Sequence, residues 1–359
     1  MNLETNKEKL LSIIIPTYNA EKYLDKCLTS LILEDETLFE QLEVLVINDG
    51  SPDKSRDVAQ KYVDKYPNVY KIIDKENGGH GSGINVGADE ATGMYFKVLD
   101  ADDWVDITGF ENFMKKLVNI SKERQSDVPD VIITFYQRYD ISTGKIEDKI
   151  SRPSEYDKNY TLGEVMDQWL GCHEDMHFWG VTYNTKFYQK LGYKLAEGIF
   201  YEDQEYATVP LSYAKTVRFI DEMVYVYRVG DVNQSVFGDT QVKRRSHLEK
   251  VIERLVEQYD NQSNMPMGAD RYYRKKTAMV ITSYYQIMLL KNKDKKLGRN
   301  SVAEVNKMLE KEAPEIYAMT AKKCKGFICF SYLHISNGMY EFWAPKIIGA
   351  IRKIKGQRV

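Results

Sequence analysis

The sequence predicts an α/β fold, a mostly parallel sheet with helices on both faces, followed by a C-terminal helical domain. Three observations predict it: short apolar runs stop at turn residues, helical spacings alternate with those runs, and the last third carries helical spacing alone. Residues 11–15 stop at Pro16, and residues 42–47 stop at Asn48-Asp49-Gly50-Ser51, so both read as buried strands. Between them Tyr23, Leu24, Cys27, Leu28 and Leu31 keep helical spacing, completing a β-α-β unit. The pattern recurs with a helix at Val58, Ala59, Tyr62 and Val63, a strand over 69–73, a helix over 84–91 and a strand over 94–99 that runs into acids. Ligands of such sheets bind beyond the carboxyl ends of the strands, so the loops carrying Thr17, Asp49 and Asp100 are expected to converge. After a strand near 131–136 the chain is aromatic-rich and less regular to about residue 235. Val251, Ile252, Leu255 and Val256, then Met279, Val280, Tyr284, Ile287 and Leu290, then space as helices. The expected domains are 1–237 and 238–359, with loops over 261–267 and 291–300.

At 359 residues the chain exceeds the roughly 100–200 of one domain, in keeping with that division. Its 50 Lys and Arg nearly cancel 53 Asp and Glu, a net charge of −3, so the basic field needed for nonspecific nucleic-acid binding is missing and no nucleic-acid partner is expected. The four cysteines are scattered without a Cys-x-x-Cys pair, which fits reduced thiols in a cytoplasm. Charges at Glu4, Lys7, Glu8 and Lys9 precede an apolar run that soon meets Pro16, so no signal-peptide core is expected. Nothing reaches the ~18 apolar residues of a spanning helix.

The string Lys97-Val-Leu-Asp100-Ala-Asp102-Asp103-Trp104 delivers three carboxylates from the end of an apolar strand. Carboxylates this close repel, and Mg²⁺ or Mn²⁺ held by one or two of them, with substrate phosphates completing its shell, relieves the repulsion. A solvated acidic turn that caps a helix is the simpler alternative. Two other chemistries are disfavoured. The Gly78–Gly83 stretch lacks the third glycine of a dinucleotide fingerprint and does not follow the first strand. Cys172-His173-Glu-Asp-Met-His177 lacks the glutamate placement of a zinc protease helix.

Taken in order, several segments resemble a family 2 glycosyltransferase of the GT-A fold, an inverting enzyme type used in bacterial polysaccharide synthesis. They are Ser12-Ile-Ile-Ile-Pro-Thr-Tyr-Asn19, Val46-Ile-Asn-Asp49-Gly-Ser51, Asn77-Gly-Gly-His-Gly-Ser-Gly-Ile-Asn85, Ala91-Thr-Gly93, Asp100-Ala-Asp102-Asp103 and Tyr201-Glu202-Asp203-Gln204-Glu205. Tyr225-Val-Tyr-Arg228 through Asn233-Gln-Ser235 is similar to a loop that follows them. The resemblance implies a Rossmann-like GT-A sheet and a UDP-sugar donor held by Pro16, Thr17, Tyr18, Asn19, Asp49, Asn77, Gly78, His80, Asn85, Asp100, Ala101 and Arg228. Asp49 would meet the uridine base. Asp100, Asp102 and Asp103 would hold Mn²⁺ or Mg²⁺, with Asp102 and Asp103 both open as the direct ligand. Asp203, beside Glu202, would be the general base that deprotonates the acceptor, since the departing diphosphate needs no acid. Trp179 and His177 are acceptor-side candidates, Trp179 equally a core residue.

One departure from the family pattern falls in the donor loop. Where members often have Ala-Arg-Asn this chain has Gly83-Ile84-Asn85, and His80 either replaces the missing arginine in part or donates a loop hydrogen bond. The implied function is transfer of a sugar from a nucleotide sugar to a glycan or lipid-linked acceptor in surface polysaccharide synthesis. A catalytically silent sugar-nucleotide-binding partner of another glycosyltransferase is the alternative. Phe327, Ile328, Phe330, Tyr332, Leu333, Tyr340, Phe342 and Trp343 precede Lys346, Arg352, Lys353, Lys355 and Arg358, with no acid after Glu341. Such a segment suits peripheral contact with an anionic membrane at its cytoplasmic face, or a core helix with a solvated tail.

Overall fold

The structure, a computed structural model, describes residues 8–150, 153–168, 176–231, 238–260, 265–340 and 342–343. It comprises two compact units, Met1–Gln234 with Ser263–Tyr273, and Ser235–Gln262 with Arg274–Val359.

The first unit is built on a ten-stranded sheet: β1 (Leu11–Thr17), β2 (Leu42–Asp49), β3 (Tyr70–Lys75), β4 (Tyr95–Val98), β5 (Trp104–Val105), β6 (Val131–Asp140), β7 (Ile146–Lys149), β8 (Asn159–Tyr160), β9 (Val181–Asn184) and β10 (Val217–Val229). The order is β3-β2-β1-β4-β9-β6-β10-β5, with β7 on β6 and β8 on β10. Strands β3, β2, β1 and β4 run parallel, as the alternating pattern predicts. Beyond β4 the sheet is mixed, with β9 antiparallel to both neighbours and β6 parallel to β10.

Helices α1 (Leu24–Ser30), α2 (Glu36–Glu40), α3 (Ser55–Lys65), α4 (His80–Glu90) and α5 (Ile107–Ile120) belong to this unit. Every residue of β1 is buried, because successive side chains enter different cores. Ile13 and Ile15 join Leu24 and Phe110 in one cluster, and Ile14 joins Ile84 and Phe96 in the other. Each such isoleucine contributes about 1.5–3 kcal/mol of burial.

Strand β10 corrects one expectation. Tyr225–Arg228, read as loop, lie on this strand and pair with residues 136–139 of β6. Their alternation of β-branched and aromatic residues is itself a strand pattern. Residues 233–235 of that motif lie outside the described residues. The register of β10 against β6 shifts between Phe219 and Met223 and again between Met223 and Tyr225. Helix α5 seats on this irregularity. Asp106 caps its start, accepting from the Gly109 N–H at 2.8 Å, and the Asp106 N–H donates to the Val224 carbonyl. A Cβ on Gly109 would stand 1.7 Å from the Met223 carbonyl oxygen, so only glycine allows this approach.

The second unit is helical: Gly238–Lys243, Arg245–Asp260, the later turns of Ala269–Gln286, a π-helical turn Ile287–Lys291, Lys295–Glu312 and Pro314–Tyr332. Its core includes Val251, Leu255, Tyr284, Met288, Leu309 and Ile316. The expected loop over 291–300 shrinks to three residues. Asp294 accepts from the Leu297 N–H at 2.9 Å and caps a helix whose charged first turns had read as loop. Among the described residues no helix is long and apolar enough to cross a membrane.

Candidate active site

The carboxyl ends of β1, β2 and β4 bring the first predicted residues together. Paired registers set Thr17 beside Asn48, and β4 lies on the other side of β1. Pro16 and Thr17 are buried, and the Thr17 hydroxyl donates to the Ile15 carbonyl. Tyr18 is exposed, and Asn19 turns the chain with φ +53°. Asp49 is buried, and its carboxylate accepts from the Lys75 ammonium at 2.5 Å and from the Gly78 and Gly79 N–H groups at 2.9 and 2.8 Å. The Asn77 amide donates to the Asp49 carbonyl. Asp49 thus shapes the loop that opens α4, with Lys75 as a partner that no motif announces.

Asn85, expected at the donor, sits inside the fold. Its amide nitrogen donates to the Leu195 carbonyl and Glu197 carboxylate, both at 3.0 Å, and its oxygen accepts from the Leu195 N–H. It anchors the segment that leads toward Glu202.

The acidic turn after β4 divides its carboxylates. Asp103 is buried, accepting from the Tyr225 hydroxyl at 2.6 Å and the Arg228 N–H at 2.7 Å. Tyr225 in turn accepts from the Asp100 N–H, clamping the turn from β10. Burial, then the charges of Asp100 and Asp102, raise the Asp103 carboxyl well above the usual range. Asp102 is pushed up to about 6 by burial and by Asp100, with Arg228 opposing. It borders a cavity of about 550 Å³ shared with Asn19, Glu21, Lys22, Tyr23, Asp53, Arg228 and Asp231. The Arg228 guanidinium lies 4.2 Å from the Tyr23 ring centroid, 3.1 Å from Asp231 and 3.7 Å from Asp102. Ala101, between Asp100 and Asp102, is buried.

Asp100 and Asp102, two mutually repelling carboxylates of which Asp102 opens onto a cavity, are the residues that would hold a divalent cation. Among the described residues there is no cluster of three or more candidate ligands, so a cation here would complete its shell from phosphate and water.

Glu202 and Asp203 open a short helix, Asp203–Tyr206, after Tyr201 in the left-handed region at φ +76°. That conformation is costly for a tyrosine and marks a constrained turn. Burial and the neighbouring Glu202 push Asp203 up to about 6, and the Gln204 amide donates to it at 2.8 Å. His80 stands between the two acidic segments, with Nδ1 2.6 Å from Glu202 Oε1 and Nε2 2.9 Å from Asp100 Oδ1. Burial alone would lower its pKa, but these bonds and charges outweigh it and hold the imidazole well above its ordinary value.

Trp179 stacks on Tyr227, centroids 4.1 Å apart and rings 22° from parallel, with Tyr136 at 5.1 Å and His177 at 6.0 Å. It packs against both cores of the unit, so its core role is visible. Cys172 and His173 lie outside the described residues. Tyr227 was missed among the site residues. Burial, then the charges of Asp103, Asp100, Asp102 and Asp203, raise its phenol, so the ring feels the field of both acidic segments. The available signal was its spacing, two residues after Tyr225 on one strand face. Lys97 was also missed. Fully buried, it donates to the Trp179 carbonyl at 2.6 Å and the Val181 carbonyl at 3.3 Å, and burial draws its ammonium down to about 7. A lysine inside an apolar strand was its signal.

Comparison with known proteins places this geometry. Residues 12–183 match the family described as Glycosyl transferase family 2. The uncharacterized glycosyltransferase EpsJ of Bacillus subtilis strain 168 is 28% identical over 223 residues, 61% of this chain and 61% of EpsJ. The minor teichoic acid biosynthesis protein GgaB of the same organism is 37% identical over 126 residues, 35% of this chain and 13% of GgaB. This chain thus spans under two thirds of the length of either relative. The crystal structure of S. aureus TarS 1–349 in complex with UDP-GlcNAc shares the fold at a TM-score of 0.64 and 16% identity, covering 90% of each chain. Ordered motifs, strand topology and these likenesses agree: the chain carries a family 2 glycosyltransferase domain with the GT-A fold.

Proposed function

We propose that this chain is an inverting, metal-dependent glycosyltransferase that moves a sugar from a UDP-sugar to a glycan or lipid-linked acceptor of a surface polymer. The observation that carries the reading is the meeting of Asp100 and Glu202 on one imidazole, 20 and 122 residues away from it in sequence, which joins the donor-side acids to the Glu202–Asp203 pair. UDP is favoured because a protein of the same fold, TarS, binds UDP-GlcNAc. A surface polymer is favoured by the likeness to a teichoic acid biosynthesis protein.

In this mechanism Pro16 to Asn19 and the loop organised by Asp49 line the nucleoside. Asp102 and Asp100 would hold Mg²⁺ or Mn²⁺, which supplies Lewis acidity at the diphosphate when bound. Arg228 places fixed positive charge beside Asp102 and the cavity. Asp203 takes the proton of the acceptor hydroxyl, whose oxygen forms the new bond to the anomeric carbon as the bond to the diphosphate oxygen breaks. Attack opposite the leaving group inverts that carbon, and the nucleoside diphosphate departs with the bonding pair. His177, Trp179 and Tyr227 border the acceptor side.

In the second unit Tyr332, Leu333, Met339, Phe342 and Trp343 are each more than half exposed, near exposed Lys322, Lys323 and Lys325. This supports peripheral contact with an anionic membrane, the basic residues of 344–359 lying outside the described residues. Removal of 344–359 is expected to abolish sedimentation with anionic liposomes at low salt while donor hydrolysis continues. Intact protein that stays in the supernatant refutes the membrane contact.

The central test is a thermal-shift and hydrolysis screen of UDP-glucose, UDP-galactose, UDP-GlcNAc and UDP-GalNAc with Mn²⁺ or EDTA. Ligand that binds only the native state raises its melting temperature. Stabilisation and slow UDP release that both need the cation are expected, and their absence with every donor refutes the reading.

A further inference from the structure

His80 is the first residue of α4, and its ring is the side-chain hydrogen-bond partner of both Asp100 and Glu202 among the described residues. The two bonds use different ring nitrogens, at 2.9 Å from Asp100 and 2.6 Å from Glu202. Glu202 is almost fully buried, its side chain 5% exposed, so this imidazole is its means of satisfying a carboxylate out of water. The start of α4 is pressed against the same segment. A Cβ on Gly81 would come 2.3 Å from the Ala196 carbonyl and 2.9 Å from Glu202 Cγ, leaving Glu202 no room on the helix side. Phe178 packs 6.0 Å from the imidazole centroid.

We propose that His80 is a positioning residue that fixes the distance between the donor-side acids and the catalytic base, by tying Asp100 to Glu202 and through Glu202 to Asp203. The inference rests on the glycosyltransferase reading above and deepens it. His80 need not touch substrate. Asp203 adjoins Glu202 at the start of one short helix, so a shift of Glu202 carries the base with it. A base displaced by 1 Å from its proton loses much of its effect, on the order of 10²-fold. On the other side, the bond to Asp100 sets one donor-side carboxylate beside Asp102. The two ring nitrogens therefore serve two different kinetic parameters.

Two substitutions separate them, because an Asn amide nitrogen falls near the position of Nδ1 and a Gln amide nitrogen near that of Nε2. UDP release from the four UDP-sugars with Mn²⁺ is measured for the full chain, His80→Asn, His80→Gln and His80→Ala, alongside melting temperatures. His80→Ala is expected to lower kcat by about 10–100-fold, the scale of a lost geometric constraint. His80→Asn, which can still hold Glu202, is expected to raise the donor KM more than it lowers kcat. His80→Gln, which can still hold Asp100, is expected to lower kcat more than it raises KM. Equal changes in both parameters for Asn and Gln, tracking only the fall in melting temperature, overturn the proposal in favour of a purely structural histidine. So does a His80→Ala variant within twofold of the unsubstituted chain in kcat and KM. No UDP release by the unsubstituted chain overturns the glycosyltransferase reading itself and the proposal with it.

Discussion

The turn at Asp102–Asp103 and the turn at Glu202–Asp203 each hold adjacent carboxylates, and each divides them in the same way. One member is buried and hydrogen-bonded, Asp103 by β10 and Glu202 by His80. The other is left partly open with its pKa pushed up to about 6, Asp102 beside the cavity and Asp203 at the helix start. The difference lies in the clamp. Asp103 is gripped at both oxygens by strand β10, whereas Glu202 depends on one imidazole that it shares with Asp100. A like-charge pair thus yields one gripped and one open acid, and the firmness of that division depends on what holds the buried member.

If the open member of each pair is the reactive one, Asp203→Asn has the largest effect. Turnover is expected to fall by about 10²–10⁴-fold with donor affinity retained, the range for loss of a positioned general base. Calorimetric titration of donor against the variant, run beside turnover, checks both halves, and near-normal turnover would move the base elsewhere. Asp102→Asn is expected next, weakening donor binding in Mn²⁺ by about 10–100-fold, a scale typical of damage around a metal site. Equal donor affinity in EDTA and Mn²⁺ would remove the cation from the scheme.

The third effect is on pH. A base at Asp203 would work only when deprotonated, so with its pKa raised to about 6 the rate is expected to climb through pH 6 and then level. At pH 5 it should be down by about tenfold, and a flat profile from pH 5 to 8 contradicts the assignment. The smallest catalytic effect is expected from the strand clamp. Tyr225→Phe removes a hydrogen bond to a buried carboxylate, costing about 1.5–3 kcal/mol, and should appear chiefly as a fall in Tm of roughly 3–12 °C. A melting curve that does not move would mean that the Arg228 N–H alone satisfies Asp103.

The strands β1, β2 and β4 were legible because continuous apolar runs ended in turn residues, and their convergence on one edge followed from parallel order. The motifs named the acids. What they could not give was the division between Asp102 and Asp103, because Tyr225 reaches Asp103 across 122 residues of sequence. Asn85 illustrates the same limit, since its amide is claimed by Leu195 and Glu197, more than a hundred positions away. The 291–300 segment failed for a local reason: charged residues on the solvated face of a helix look like loop until Asp294 is recognised as its cap. Trp179 was undecided between acceptor and core, and its stack on Tyr227 depends on the bulged register of β10, which no periodicity announces.

The seat of Gly109 on Met223 makes α5 a gauge for this whole arrangement. The extra residues of β10 are accommodated where the helix comes nearest, and Tyr225, Tyr227 and Arg228 take their facing from the strand just beyond. Alanine at 109 would force helix and bulge apart and re-aim all three side chains together. A lesion on an outer helix, with every acid of the crevice intact, would then read out as a chemically blind enzyme, so tolerance to substitution here follows backbone clearance rather than distance from the reacting atoms.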